Sequence, residues 1–446
     1  MSGYQAPTAE LIAEALRRTP TPVLRRAFYG KLRNPLWVRP LMEAGAFTAP
    51  PEPQITDDGL IRDIYCPEVD YLARVAGEVP DDVVDVLVPL KDSNNAWVKR
   101  ATAEIAAVIP AAQGVKLLPL LKAWATSSTG LGWRTDESSL VSFAVQLLDG
   151  GQVRPGRELA NLLFMPRRPR SNEPFQRKPE LTLDEHWYVT ELPRIATALG
   201  GDALSATSGW LATYLKHAGY AGSDSDFSGI VRPSIRDRGD DLHQGPDDAL
   251  VEVIRDLAVA RLSDRDVDGV AAPLLRPKVQ LHRKIAMYSV AEAIRSLVAD
   301  SRDAAHLVPI TRDLLSGDES DESNLRIEYA ELAQAVAHVD RSALDVVNEF
   351  IASAYERDLE WMRARSVQPD AVGGAETDAE IVERADRYKH QMLSAIGAGA
   401  LLPACATSLR DSTGGSAALT NPCLRTAWLR AGLVRTRTAR VTRWRL

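Results

Sequence analysis

The sequence predicts an all-α protein, an α-solenoid of stacked helical hairpins. Three observations predict it. The first is a repeat: Ala73, Val75, Ala76, Val79, Pro80, Leu87, Val88, Pro89 and Leu90 recur thirty positions later as Ala103, Ile105, Ala106, Ile109, Pro110, Leu117, Leu118, Pro119 and Leu120. A unit of two short apolar helices cannot bury its apolar face alone, so such units stack. The second is periodicity. Apolar residues recur at helical spacing, and no run of alternating β-branched and aromatic residues reads as a strand. The third is punctuation: Pro80 and Pro110 each follow an apolar helix, ending it and opening the next, where the missing amide proton costs nothing.

Residues 1–45 read as a helical segment. Thr8 is placed to cap Ala9–Arg17, Val23–Leu32 follows, and Asn34 with Pro35 opens a third helix that Pro40 keeps short or bent. Residues 46–66 form a stiff linker containing Pro50, Pro51 and Pro53. The repeat array spans 67–403. In its two clear units Asn94 and Asn95 offer caps for Ala96–Ile109, on which Val98, Ala101, Ile105 and Val108 share a face. Pro89 and Pro119 fall inside the second helix of each unit and are expected to bend it. Further helices are expected at 136–149, 158–165, 183–199, 205–217, 247–262, 266–275, 278–298, 325–339, 341–363 and 377–396. Leu307-Val308-Pro309-Ile310 and Leu401-Leu402-Pro403 echo the repeat.

Charge divides the chain unevenly. Residues 404–446 carry eight arginines, one aspartate and no lysine or glutamate, a balance of +7 that leaves −14 on residues 1–403. An acidic body is a poor general binder of nucleic acid, because phosphate neutralisation supplies most non-specific affinity. The helical period stops at about Ala404. Two readings of 404–446 stand: a disordered basic tail for nucleic acid or an acidic partner, or a stretch that never evolved as part of the fold. No segment approaches the twenty apolar residues of a membrane span. Cys66, Cys405 and Cys423 are too few and too scattered for a disulfide framework or a four-cysteine zinc site. These features predict a soluble, cytoplasmic protein.

Common catalytic constellations are missing from the sequence: no P-loop, GxGxxG, HExxH or GxSxG occurs, and no two histidines lie at i, i+4. Pro369-Asp370 lacks the downstream Glu-x-Lys of a restriction-type nuclease. Neither a cofactor nor a metal is expected. Two basic clusters are the candidate partner or anion contacts. The first is the loop holding Arg167, Arg168, Arg170, Arg177 and Lys178, with Phe175 available for stacking. The second is Arg232, Arg236 and Arg238, interleaved with Asp237, Asp240 and Asp241 beside Ile235. It reads either as salt bridges pinning a loop or as a dock for carboxylate or phosphate. His282, Arg283 and Lys284 read as an exposed helix face.

The helix–proline–helix units of residues 71–124, with the echoes at 307–310 and 401–403, resemble HEAT- or armadillo-like repeat scaffolds. That resemblance covers most of 67–403. The stretch NPLWVRPLMEAGAFTAPPEP (Asn34–Pro53), followed by the tract through Tyr71-Leu72-Ala73, is similar to the helical portion of large bacterial proteins of the kind found near defence genes. In such proteins a helical array carries or docks a separate catalytic module. No such module's motifs occur here, so no functional residue is carried over. The resemblance implies a non-enzymatic scaffold that binds another protein. The competing readings are a nucleic-acid-binding helical repeat using the basic loop and tail, and an enzyme of a type the motifs do not reveal.

Overall fold

A computed structural model describes residues 4–57, 61–126, 137–169, 178–222, 226–236, 245–316, 326–366, 377–397 and 401. Of these, 75% are helical and 2% are in strands, so the fold is all-α. The helices are α1 (Ala9–Arg18), α2 (Pro22–Lys31), α3 (Val38–Glu43), α4 (Pro67–Val75), α5 (Pro80–Leu87), α6 (Ala96–Val108), α7 (Ala111–Gly114), α8 (Leu118–Thr126), α9 (Glu137–Asp149), α10 (Val153–Phe164), α11 (Glu185–Leu199) and α12 (Ala203–Ala218). They continue with α13 (Pro246–Ser263), α14 (Val267–Leu275), α15 (Gln280–Ala299), α16 (Val308–Ser316), α17 (Arg326–Val336), α18 (Leu344–Ser366) and α19 (Asp378–Ile396). Strands β1 (Gln54–Ile55) and β2 (Ile61–Arg62) form a short antiparallel hairpin in the proline-rich linker. No helix among the described residues is long and apolar enough to cross a membrane.

Local chemistry sets the helix starts. The Thr8 hydroxyl accepts from the Leu11 amide, Thr21 does the same for Leu24, and Asn95 accepts from Trp97 and Val98. Thr377 and Glu380 form a reciprocal capping box at α19. Asn34 caps a 3-10 turn, Pro35–Trp37, that leads into the six-residue α3.

By its contacts the chain divides into two compact units, residues 1–167 with 180–203, and residues 168–179 with 204–446. In the first unit α2 packs on α4, α4 on α6, α6 on α9 and α9 on α11. The intervening helices make a second series, α1 on α3, α3 on α5, α5 on α7, and α8 on α10. Five of the nine repeat pairs keep their environment; Val88 is exposed where Leu118 is buried, Pro80 is half-buried where Pro110 is exposed, and Ala73 and Val79 are half-buried where Ala103 and Ile109 are buried. Val75 and Ile105, Ala76 and Ala106, Leu87 and Leu117, and Leu90 and Leu120 are all buried, while Pro89 and Pro119 are both exposed. One expectation changes here. Val108 is 65% exposed, because α6 ends at that residue and Ile109 turns into the core instead. Pro89 and Pro119 lie inside runs of helical backbone: α5 passes directly into a 3-10 segment, Val88–Asp92, with non-helical dihedrals at Leu90, and α7 passes through the 3-10 turn Val115–Leu117 into α8. A 3-10 stretch thus accompanies each proline, where the α-helical hydrogen-bond pattern is interrupted. Pro309 repeats the arrangement at the start of α16, after the 3-10 turn Ala305–Leu307.

In the second unit α13 packs on α15, α15 on α17 and α17 on α19, with α14 against α13 and α15, and α16 against α18. α15 is covered nearly all round, which buries Leu281, Ile285, Met287, Val290 and Ile294 together with His282 and Lys284. Its C-terminus closes with a left-handed residue: Ser301 (φ 56°) donates to the Val298 carbonyl while the next amide, Arg302, reaches Leu297. In the first unit the same closure after α9 uses Gly151 (φ 77°). α18 and α19 meet through Leu359, Met362, Ile381 and Ala385. Residues 402–446, including Leu402 and Pro403 of the last repeat echo, lie outside the described residues.

Candidate functional site

A constellation of charged groups in the second unit lies where the segment 226–236 meets α13, α15 and α17. Its first residues cap α15 from outside the helix. The Asp226 carboxylate accepts from the amides of Ser228 and Gln280, both at 2.7 Å, and the Ser228 hydroxyl accepts from the Leu281 amide at 3.1 Å. Two of the amides that a helix N-terminus leaves unpaired are thereby satisfied.

Lys284, one turn into α15, holds the middle of the segment. Its Nζ donates to the backbone carbonyls of Arg232 (2.8 Å), Pro233 (3.0 Å) and Gly229 (3.3 Å), and lies 3.8 Å from Oε2 of Glu328 on α17. Glu328 Oε1 accepts from the Ile235 amide at 3.0 Å. Lys284 and Glu328 are both 0% exposed. An ammonium has three N–H groups, and three carbonyls take them, so Lys284 acts as a rivet between helix and segment. Burial pushes the Glu328 carboxyl up to about 7, against the opposing pull of Lys284 and the Ile235 amide. The neighbouring His282 is fully buried, with the Ser208 backbone near its ring but no well-formed hydrogen bond at either nitrogen. Burial lowers it to about 4, although Asp226 and the Ser208 backbone favour its cation.

The expectation that His282, Arg283 and Lys284 form an exposed face is therefore corrected: His282 and Lys284 are interior. The reason is tertiary. α15 lies between α13 and α17, and the segment 226–236 covers the side on which Lys284 sits, so a charged residue that local periodicity places outward is roofed over.

The second basic cluster divides. Arg232 is buried and sends its guanidinium to Asp248 and Glu252 of α13, each at 3.3 Å, and to the Ser234 carbonyl. Arg236 is half exposed and pairs with Glu331 of α17 at 2.9 Å. Ile235 between them is fully buried, and Arg238 lies outside the described residues. Of the first cluster, Arg167, Arg168 and Lys178 are exposed. The Arg167 backbone pairs with Glu180 in an isolated antiparallel bridge. Arg170, Phe175 and Arg177 lie outside the described residues, as does Pro369-Asp370. Elsewhere in the second unit a surface groove of about 690 Å³ runs beside Phe350, Tyr355, Glu356 and Lys389, with the Lys389 ammonium 4.8 Å above the Tyr355 ring. Among the described residues, no group of three or more His, Cys, Asp and Glu side chains is arranged to hold a metal ion.

No protein-family model matches the sequence, and no curated protein or solved structure matches it either.

Proposed function

We propose that this chain is a HEAT- or armadillo-like α-solenoid that acts as a non-enzymatic scaffold for another protein. The observation that supports it is the pair of helix series in the first unit, α2–α4–α6–α9–α11 and α1–α3–α5–α7, in each of which a helix packs on the next of its own series. Stacked helical pairs present extended surfaces, and such surfaces bind other proteins. In the second unit, Lys284, Arg232 and Glu328 spend their charges inside, bracing three helices into a stiff platform. A stiff platform loses little freedom when it binds. Bacterial defence is the setting suggested by the resemblance of residues 34–53.

The test is affinity capture with the full chain from nuclease-treated lysate of its source, followed by titration with the purified protein recovered. The scaffold reading expects a defined protein that binds stoichiometrically after nuclease treatment. Exposed Arg167, Arg168 and Lys178 favour the second reading, a nucleic-acid-binding helical repeat. That reading expects affinity that falls steeply with salt, with a shallower slope once the three are changed to alanine.

A further inference from the structure

Helix α2 is fixed to the first unit by one face. Tyr29, 1% exposed, sets its ring against Tyr71 of α4 and against Phe47. Arg25 donates to the Glu68 carboxylate of α4 at 2.7 Å, and Arg74 of α4 donates to the Tyr29 and Leu32 carbonyls at the end of α2. The opposite face is open. Val23 and Ala27 lie one turn apart along its centre, with Arg26 on one side of them and Lys31 with Leu24 on the other. All five are exposed, Val23 by 76% and Leu24 by 45%. Within the series α2–α4–α6–α9–α11, α4, α6 and α9 each pack between two neighbours, whereas α2 has α4 alone. A helix face left to water is ordinarily polar along its centre. Here the centre is apolar and the charges form its rim. From Thr19 to Met42 there are five basic residues and no acidic one. Arg25 is taken up by Glu68, and Arg39 by Asp82 and Asp85. Arg26 lies over the Tyr65 ring, and Lys31 meets no carboxylate among the described residues.

We propose that the outer face of α2 docks an amphipathic helix of a partner protein, which seats its apolar stripe on Val23, Leu24 and Ala27 and sets flanking Glu or Asp side chains against Arg26 and Lys31. This rests on the scaffold reading and assigns its contact. The series supplies the shape of the occupant: one more helix, placed on α2 as α2 is placed on α4, continues the packing. The charge supplies its chemistry, because opposite charge at the rim draws in an acidic helix and like charge turns others away. The α2 face of a second copy would set five basic residues against five, and residues 404–446, at +7, carry the same sign. A nucleic acid would find aliphatic side chains at the centre of the face, where its phosphates need cations.

The experiment places a photo-crosslinking residue at position 27 of the full chain, with exposed position 298 as the control. Crosslinked peptides are mapped by mass spectrometry, and the protein they come from is then purified and titrated. Crosslinks from 27, but not 298, should map to the apolar face of a helix flanked by Glu or Asp. The variants V23E/A27E and R26E/K31E should each bind the purified partner about tenfold more weakly or worse, at an unchanged urea midpoint. Changing the partner's flanking carboxylates to lysine should restore binding to R26E/K31E. Full affinity of either variant for the same partner would overturn the α2 contact and leave the scaffold standing. Crosslinks to a second copy of the chain, or binding to phosphatidylserine vesicles that V23E/A27E abolishes in place of a protein, would overturn it as well. Absence of any bound protein with the unmodified chain would overturn both readings.

Discussion

Lys284 Nζ and Glu328 Oε2 lie 3.8 Å apart, on helices α15 and α17, with both side chains wholly shielded from water. The carbonyls of Gly229, Arg232 and Pro233 take the three N–H groups of the ammonium, while the carboxylate accepts from the Ile235 amide through Oε1 and leaves Oε2 facing Lys284 without a hydrogen bond. The pair therefore couples two helices to a segment that is distant from both in sequence.

The pair and its neighbour His282 give opposing pH dependences. Glu328 is raised from 4.5 to about 7, chiefly by burial. It holds its proton more tightly folded than unfolded, so its stabilising contribution is full below pH about 4.5 and is lost as pH rises through about 7. His282 is lowered from 6.5 to about 4, so its contribution is present above pH 6.5 and is lost as pH falls through about 4. The two slopes oppose each other between pH about 4.5 and 6.5. Glu328→Gln should therefore make stability rise more steeply with pH across that window than in the unaltered chain. His282→Asn should tilt it the other way. Urea unfolding at a series of pH values checks both; identical pH profiles for all three proteins would contradict the assignment.

Ser301 adopts a left-handed conformation that costs an L-residue roughly 1 kcal/mol, a strain glycine does not carry. Ser301→Gly should stabilise the fold by about 0.5–1 kcal/mol. Gly151→Ala, in the same conformation after α9, should destabilise it by a similar amount. Denaturant midpoints at constant slope report both changes.

Asn95 caps α6 and braces both arms of the hairpin. Asn95→Ala removes the cap and leaves two carbonyls without their donor, a loss of about 2–4 kcal/mol. Asn95→Asp keeps the capping oxygen but sets a buried carboxylate oxygen against the Pro51 and Ile64 carbonyls, so it should cost at least as much as the alanine variant. Amide exchange at Trp97 and Val98 should rise in the alanine variant and much less in the aspartate variant.

Gly156 of α10 faces Leu148 so closely that an added Cβ would sit 2.7 Å from the leucine Cγ. Gly156→Ala should cost about 1–3 kcal/mol by overpacking, and Leu148→Ala in the same chain should recover part of that loss. Thermal unfolding of the single and double variants would measure it.

The helices were largely legible because their punctuation is local. Thr8, Thr21, Asn34, Asn95 and Thr377 start helices or turns through bonds made within a few residues, and Pro22, Pro67, Pro80 and Pro246 occupy first helical positions. The hairpin β1–β2 was not legible: two residues per strand give no alternation to detect. The interior charges were missed for a different reason. Periodicity assigns Lys284 an outward position because lysine costs much to bury alone, and its compensating carbonyls and Glu328 lie about fifty residues away on one side and forty on the other. A signal was present in α15 itself. The neighbours of Lys284 at i−3, i+1, i+2 and i+3 are Leu281, Ile285, Ala286 and Met287, which leave little polar face for a lysine to share. The salt-bridge reading of Arg232 needed only its sequence surroundings, but that its partners are Asp248 and Glu252 of α13 is known only from the fold.

A double-mutant cycle on Lys284 and Glu328, read by urea unfolding at pH above 7.5, tests most directly whether interior charges brace the second unit. Lys284→Met alone should cost about 3–5 kcal/mol, because it strands a buried carboxylate and three carbonyls. Glu328→Gln alone should cost less, since its amide oxygen still accepts from Ile235. The double variant should be more stable than the sum of the two losses predicts, by at least about 1 kcal/mol. Losses that are small and additive would show that the two groups do not hold the segment 226–236 onto α15 and α17.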